Sequence, residues 1–233
     1  TGIFVQDEAS VRLLAGIGIT AVEVAGDTRF DRVREIAREY RSVERVADFR
    51  DRERLVVCGS TWPADEAMIA RYILSHAEVC RWLIVPHEVG AGHVREIIDR
   101  FGGKASLYSD GACRHRVMVV DRVGLLSALY RYATIAYVGG GFGRGIHNTL
   151  EAAAYGVPVI FGPRHEKFKE AIDLIAAGGA FCARDEAMFA GIMDDLLSRP
   201  EEVAAAGERA ATFVRTGAGA TERILERLSP LFL

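Results

Sequence analysis

The sequence predicts an α/β fold in which a doubly wound parallel sheet is flanked by helices. Short apolar, β-branched runs alternate along the chain with longer stretches of helical periodicity. Several of these runs, VVCG, WLIVP and VPVIFGP among them, are apolar at nearly every position, which is typical of strands buried on both faces. Strands of this kind need helices on both sides of a parallel sheet.

Each predicted strand is bounded by Gly, Pro or Asp, the residues that commonly end regular structure. The strands are Ala21–Ala25, Leu55–Gly59, Trp82–Pro86, Val117–Val120, Ile135–Val138 and Val157–Phe161.

The stretches between the strands have helical spacing of apolar residues. Phe30–Val46 is predicted as one helix because Val33, Ile36, Ala37, Tyr40 and Val43 share a face. Pro63–His76 is predicted as another, with Ser60 and Thr61 as candidate caps and the acids Asp65 and Glu66 in its first turn. Further helices are expected near Gly90, over Gly124–Tyr130, from about Ile146, near Glu166 and, as a closing pair or trio, from Asp185 onward.

The length of 233 residues allows one large or two small domains. We expect one complete domain over residues 27–212, preceded by an appendage over 1–26 and followed by a C-terminal helix over 213–233 that packs back toward an N-terminal domain. The chain starts with Thr1 in what resembles the middle of an amphipathic segment, so we expect it to be a piece of a longer protein.

Composition excludes several classes of function. A net charge of −3 leaves no excess of positive charge for binding nucleic acid or an anionic membrane electrostatically. The sequence contains no apolar run of membrane-spanning length and no signal-peptide pattern at its start. The four cysteines form no CxxC pair and no metal-ligand spacing, so neither a zinc site nor a disulfide framework is predicted.

The strongest functional pattern is a glycine-rich loop that follows the strand ending at Val138. Gly139, Gly140 and Gly141 open this loop, and an Ala-rich helix is expected after it. A strand, a glycine-rich loop and a helix N-terminus together form a common phosphate-binding arrangement, because unpaired amides and the helix dipole both favour negative charge. A tight connection without a ligand is the alternative.

Two better-known phosphate loops are excluded by spacing. No three glycines of the chain satisfy GxGxxG, the dinucleotide-binding pattern, and no GK[ST] of a P-loop is present. The sequence therefore argues against dehydrogenases and P-loop NTPases.

His147, Asn148 and Glu151 follow the loop within about one helical turn. A carboxylate in that position is suited to accept hydrogen bonds from the vicinal hydroxyls of a ribose whose phosphate lies at the loop. A solvated helix acid remains the alternative for Glu151.

Polar residues also follow other predicted strands, at the sheet edge where open α/β proteins bind ligands. His87 and Glu88 follow one strand, and Asp121 follows another, where it could equally cap a helix. Ser60 and Thr61 could likewise either contact a ligand or cap a helix. The segment after Phe161 supplies cations for a phosphate, namely Arg164, His165, Lys167 and Lys169.

Several segments together resemble the C-terminal half of the 3-deoxy-D-manno-octulosonic acid (Kdo) transferases. They are GDTRFDRV, LVVCGSTWPADE, WLIVPHE, Asp121–Tyr130, YVGGGFGRGIHNTLEAAAYGVPVIFGP and the closing helices, which together span nearly the whole chain. The resemblance implies a GT-B fold of two Rossmann-like domains facing a cleft, the second of which holds the CMP-Kdo donor. It also implies transfer of Kdo to a lipid A precursor in lipopolysaccharide synthesis.

The resemblance implies donor-site roles for matching residues. Gly139–Gly141 with His147, Asn148 and Glu151 would contact the phosphate and ribose of CMP. Ser60, His87, Asp121 and Arg144 would complete the site. This chain departs from the family pattern in having His87 directly after Pro86, Asp121-Arg122-Val123-Gly124 for Asp-Thr-Met-Gly, and GGGFGRG in the loop.

The resemblance further implies that residues 1–26 are the tail of an N-terminal acceptor domain. That domain would hold the acidic catalytic base, the acceptor site and the membrane-associating segment, so no catalytic residue is expected in this chain. The expected reaction is an inverting displacement without a metal ion or other cofactor, at the cytoplasmic face of the bacterial inner membrane. This chain alone is expected to bind the donor without turnover.

Two other functions remain open. One is a UDP-sugar epimerase of GT-B architecture, and the other is a non-catalytic interaction module. The GDTRFD and HNTLE segments favour the transferase.

Overall fold

The computed structural model describes residues 2–39, 42–76, 79–111 and 113–231. The chain begins with a small β-α-β unit formed by β1 (Ile3–Val5), α1 (Glu8–Ala15) and β2 (Val22–Val24). β1 and β2 pair in parallel as a sheet of their own. No residue of α1 is buried.

The main domain follows. Its elements in chain order are α2 (Thr28–Arg38), α3 (Glu44–Arg50), β3 (Leu55–Thr61), α4 (Pro63–Ser75), β4 (Arg81–Pro86), α5 (Ala91–Arg100), β5 (Ser106–Leu107), β6 (Val117–Val119), α6 (Leu126–Leu129), β7 (Ile135–Val138), α7 (Leu150–Ala153), β8 (Val159–Phe161), α8 (Lys169–Ala176), β9 (Ala180–Cys182), α9 (Glu186–Ser198), α10 (Pro200–Gly217) and α11 (Ala220–Leu228). Single turns of 3₁₀ helix follow α6 and α11.

The main sheet has seven strands in the order β5-β6-β4-β3-β7-β8-β9, all parallel. From β3 the chain adds β4, β5 and β6 on one side, with β6 between β4 and the edge strand β5, and from β7 it adds β8 and β9 on the other side. The adjacent ends of β3 and β7 therefore form the topological switch point, where open parallel sheets bind ligands.

The sheet separates two hydrophobic cores. Along β3, Leu55 and Val57 face one core, whereas Val56 and Cys58 face the other, as the two-residue period of a strand requires. Residues of α2, α3, α6, α7, α8 and α10 cover the first core, and residues of α4, α5 and α9 cover the second. The predicted doubly wound parallel sheet is confirmed.

The prediction of one helix over Phe30–Val46 is wrong. α2 ends at Arg38, the next residue Glu39 is extended, and α3 begins only at Glu44. Tyr132 Oη accepts the Val43 N–H at 2.8 Å, which turns the chain into the first core. Tyr40, one of the residues used for that prediction, lies outside the described residues.

The ends of the chain differ in detail from the sequence prediction. Three helices close the chain, as expected, but α10 runs through residue 213, so the last separate helix begins at Ala220. α11 contacts the first appendage, since Arg227 Nε donates to Glu23 at 2.9 Å and Arg223 Nε to the Ala25 carbonyl at 2.8 Å. The division of the chain at residues 26 and 212 stays a prediction.

The GDTRFD segment has a structural role in this fold. The Asp27 carboxylate accepts the Arg29 N–H at the start of α2. The Asp31 carboxylate accepts the backbone N–H of Gly219 at 2.5 Å and of Thr221 at 2.8 Å, at the start of α11. Arg29 pairs with the buried Glu170 of α8. The segment thus fastens α2 to α8 and α11.

Candidate functional site

The candidate site lies at the switch point, where the turn after β3 meets the glycine-rich loop after β7. The Gly139 N–H donates to the Gly59 carbonyl at 2.9 Å. At this end of β3 the pairing with β4 shifts register, and Ser60 adopts a positive φ of 52°. Strained backbone of this kind in a non-glycine residue is concentrated at ligand-binding sites.

The loop glycines are required by close packing of backbone. A Cβ on Gly139 would lie 2.3 Å from the Ser60 carbonyl oxygen, and one on Gly141 would lie 2.5 Å from Gly162 Cα. Gly140 has a positive φ of 93°, and a Cβ there would lie 2.3 Å from the Gly145 oxygen. The glycines bring three chain segments together at the sheet edge.

A buried carboxylate holds this edge together. Asp65, in the first turn of α4, is 1% exposed and accepts three hydrogen bonds. Tyr137 Oη donates to it at 2.6 Å, and the N–H groups of Trp62 and Gly140 each donate at 2.9 Å. Burial and then the charge of Asp65 raise the pKa of Tyr137, so its hydroxyl stays a donor at neutral pH. The sequence pattern predicts Asp65 only as a helix-start acid.

The helix expected from about Ile146 is wrong, because α7 begins at Leu150 and has four residues. Before α7 begins, the glycine-rich loop folds back on itself. The N–H groups of Gly143 and Gly145 donate to the Gly140 carbonyl, and the His147 N–H donates to the Gly139 carbonyl at 3.2 Å. These three amides are therefore engaged within the loop and are not available to an anion.

Three aromatic rings meet beside the loop. The rings of His87, after β4, and His147 are stacked with centroids 4.4 Å apart, and the Trp62 ring stacks on His87 at 4.7 Å. Trp62 Nε1–H donates to His147 Nε2 at 2.9 Å. The predicted site residues His87 and His147 are thus brought together beside Trp62, a residue that no sequence pattern indicates.

His147 and Glu151 are both partly buried, and burial favours the neutral form of each side chain. Burial, followed by the neighbouring His87, lowers the pKa of His147, against the opposing effect of Asp65. Burial raises the pKa of Glu151, against a 3.2 Å hydrogen bond from Asn148 Nδ2. Asn148 Oδ1 also accepts the Leu150 N–H, so Asn148 fixes the start of α7 and the Glu151 carboxylate together.

The other predicted site residues, Ser60, Asp121 and Arg144, lie at the end of β3, after β6 and in the loop after β7. Ser60 does not cap α4, because the N-cap residue of that helix is Trp62, whose N–H donates to Asp65. Asp121 accepts the Ser109 N–H at 3.1 Å and lines a groove of about 530 Å³ beside α5. Arg144 is exposed on the loop and forms no ion pair with any described residue.

The predicted cations after β8 lie in different surroundings. Arg164 joins the loop: its N–H donates to the Gly141 carbonyl at 3.0 Å, and its guanidinium bonds the Gly143 carbonyl. Lys169 instead pairs with Asp173 within α8. His165 Nδ1 lies 3.6 Å from Cys182 Sγ at the end of β9.

A second buried carboxylate lies next to Asp65. Glu66 Oε1 accepts from Thr61 Oγ1 at 3.0 Å and lies 3.0 Å from His93 Nε2 of α5. Burial raises the pKa of Glu66, against the effect of His93. This contact connects the turn after β3 with the helix that follows β4.

Within the described ranges, no three His, Cys, Asp or Glu side chains are grouped so that they could hold a metal ion. Nor does any helix in the described part of the chain combine the length and apolar character that crossing a membrane requires.

Comparison with known proteins gives relatives in sequence and in fold. No protein-family model matches the chain. A 3-deoxy-D-manno-octulosonic acid transferase from Chlamydophila psittaci is 30% identical over 177 residues, which cover 74% of this chain and 41% of that protein. The chain thus spans about a quarter to two fifths of the length of the curated relatives it matches.

Two solved structures have the same fold. The C-terminal CMP-Kdo binding domain of WaaA from Acinetobacter baumannii matches with a TM-score of 0.66 at 22% identity, over 73% of this chain and 96% of that chain. A Listeria monocytogenes protein described as a UDP-N-acetylglucosamine 2-epimerase matches with a TM-score of 0.64 at 16% identity, over 97% of this chain and 57% of that chain. The resemblance to Kdo transferases and the Rossmann-like domain of a GT-B fold are confirmed.

Proposed function

We propose that this chain is the donor-binding part of an inverting glycosyltransferase that moves Kdo from CMP-Kdo to a lipid A precursor in lipopolysaccharide synthesis. One observation carries the proposal: in a chain related to Kdo transferases, His87, His147, Asn148 and Glu151 lie around the switch point of the sheet. Polar side chains at that place suit a nucleotide, with the phosphate on one side and the ribose on the other.

The proposed roles follow from the chemistry of each group. Glu151, held by Asn148, accepts hydrogen bonds from the ribose hydroxyls. His147 donates to the phosphate, while Gly139–Gly141 keep the loop packed against its neighbouring segments beside the donor. The exposed guanidinium of Arg144 is free of ion pairs with described residues and neutralises negative charge on the leaving CMP. Ser60, His87 and Asp121 line the rest of the donor site.

We assign the remaining functions to the rest of the longer protein. The catalytic base and the acceptor site lie outside this chain, so the chain alone binds donor without transfer. The reaction proceeds without a metal ion, and the complete enzyme works at the cytoplasmic face of the bacterial inner membrane. Calorimetry with and without a chelator tests the metal independence of donor binding.

Titration calorimetry with CMP and UMP tests the proposal. We expect CMP to bind and Glu151→Ala to weaken CMP binding about ten-fold or more, as loss of hydrogen bonds to a partly buried carboxylate does. Glu226→Ala is the matched control, because Glu226 is an exposed acid on α11. Absence of CMP binding by the folded chain would contradict the proposal.

A preference for UMP over CMP would support the UDP-sugar epimerase instead. Nothing in the described site favours that function, and the epimerase-like structure shares only the fold at 16% identity.

A further inference from the structure

Trp62 is the residue of the ring cluster whose role the donor-site proposal leaves unassigned. It is the N-cap residue of α4, and its backbone N–H is held by the buried Asp65 carboxylate at 2.9 Å. Its indole reaches across the site to His147 on the opposite loop, at 2.9 Å between Nε1 and Nε2. Trp62 therefore joins the two chain segments that form the switch point.

This hydrogen bond determines where the imidazole proton lies. An indole N–H donates and cannot accept, so His147 Nε2 must be the unprotonated nitrogen of the ring. A neutral imidazole carries one proton, which is then on Nδ1. Among the described residues none accepts a hydrogen bond from His147 Nδ1. The Nδ1–H is thus available to a ligand.

The surroundings keep the ring in this form. A protonated imidazole would place one N–H directly against another at Nε2, so the bond from Trp62 exists only with the neutral ring. Burial and the neighbouring His87 lower the pKa of His147 in the same direction. The ring is restricted further by its stacking on His87 and by the hydrogen bond from the backbone N–H of His147 to the Gly139 carbonyl.

We propose that Trp62 is a positioning residue of the donor site, which fixes His147 as the Nδ1–H tautomer so that a neutral donor faces the phosphate of the bound nucleotide. The inference rests on the proposed function for the identity of the ligand, but the tautomer itself belongs to the free protein. Trp62 acts through His147 and needs no contact with the nucleotide. A phenylalanine in its place would keep an aromatic ring and lose the N–H.

Nitrogen NMR of the imidazole rings tests the tautomer in the chain without ligand. Two-bond ¹⁵N–¹H correlations distinguish a protonated ring nitrogen from a bare one, and loss of a signal in His147→Gln assigns the resonance. We expect wild-type His147 to be protonated at Nδ1 and bare at Nε2. In Trp62→Phe the proton should move largely to Nε2. Wild-type His147 protonated at Nε2, or unchanged shifts in Trp62→Phe, would overturn the inference.

Trp82→Phe is the matched control. Trp82 is buried in the second core, and its Nε1 has no hydrogen-bond partner among the described residues. The substitution therefore removes the same group without touching the site, and the His147 shifts should stay as in the wild type. The wild-type measurement needs no variant, so it tests the inference even if Trp62→Phe does not fold.

CMP titration of the same proteins separates this inference from the proposed function. We expect Trp62→Phe to bind CMP about five-fold more weakly, the value of one hydrogen bond, and Trp82→Phe to bind as the wild type does. Failure of the wild type to bind CMP contradicts the proposed function and leaves the tautomer result standing. A changed tautomer with unchanged CMP affinity overturns the role of Nδ1–H at the phosphate.

Discussion

Asp65 on α4 and Gly140 in the glycine-rich loop are joined by a hydrogen bond of 2.9 Å inside the protein. The carboxylate also binds the N–H of Trp62 and the hydroxyl of Tyr137, so one buried group fixes the loop, the turn after β3 and strand β7. The geometry of the candidate site depends on this residue, although the Asp65 side chain is itself buried.

Asp65→Ala should therefore destabilise the protein. The substitution leaves buried donors without an acceptor, and we expect a loss of about 3 kcal/mol in the free energy of unfolding, measured by urea denaturation. Asp48→Ala, at an exposed position on α3, should change it by less than about 0.5 kcal/mol. Equal, small effects of the two substitutions would show that the Asp65 bonds contribute little.

Gly139→Ala should also be destabilising, because the new Cβ would lie 2.3 Å from the Ser60 carbonyl oxygen. Backbone must move to relieve this contact, at a cost of about 2 kcal/mol by thermal or urea unfolding. Gly92→Ala is the opposite case: it lies within α5, where a Cβ meets nothing within 4 Å. There we expect a gain of about 0.5–1 kcal/mol. A neutral Gly139→Ala would contradict the packing described for the loop.

Glu151 should make stability depend on pH. Burial raises its pKa above the usual 4.5. The Glu151 carboxyl group therefore stays protonated to higher pH in the folded protein than in the unfolded chain. Its contribution to the free energy of unfolding falls as the pH rises through the interval above 4.5. Glu151→Gln stays neutral and should gain about 1 kcal/mol relative to the wild type over that interval.

Urea unfolding at several pH values between 4.5 and 7 measures this difference. Glu226→Gln, at an exposed position, should follow the wild type at every pH. Parallel curves for the wild type and Glu151→Gln would mean that Glu151 is not desolvated in the folded protein.

Asp31 should hold the start of α11 in place. Burial alone would raise its pKa, but the N–H groups of Thr221 and Gly219, together with Arg223, lower it. Asp31→Ala removes an acceptor from amides at a helix N-terminus, which costs about 1 kcal/mol. Hydrogen exchange should become faster in α11 and stay unchanged in α9. Unaltered protection of α11 would show that other contacts, such as Arg223 with Ala25, suffice.

The sequence predicts the central sheet well because burial on both faces leaves a strong local pattern. Ile135–Val138 is found with the same bounds, and Leu55–Gly59 lengthens by two residues to Thr61. The two strands of this sheet that the sequence does not predict, Ser106–Leu107 and Ala180–Cys182, have two and three residues, too few to show a period.

The site was predicted less completely, since its decisive contacts join distant parts of the chain. His147, Asn148 and Glu151 were singled out by spacing on a supposed helix, yet only Glu151 lies in α7, and His147 is placed by Trp62, 85 residues earlier in the chain. Asp65 has the local pattern of any helix-start acid, and its bond to Gly140 spans 75 residues. Tertiary contacts of this kind leave no periodic signal in the sequence.

A crystal structure of this chain with CMP tests the central claim most directly. The account predicts CMP at the switch point of the sheet, with its phosphate within hydrogen-bond distance of His147 and its ribose hydroxyls at the Glu151 carboxylate. CMP bound only at a place remote from the ends of β3 and β7, such as the surface of α10, would contradict it.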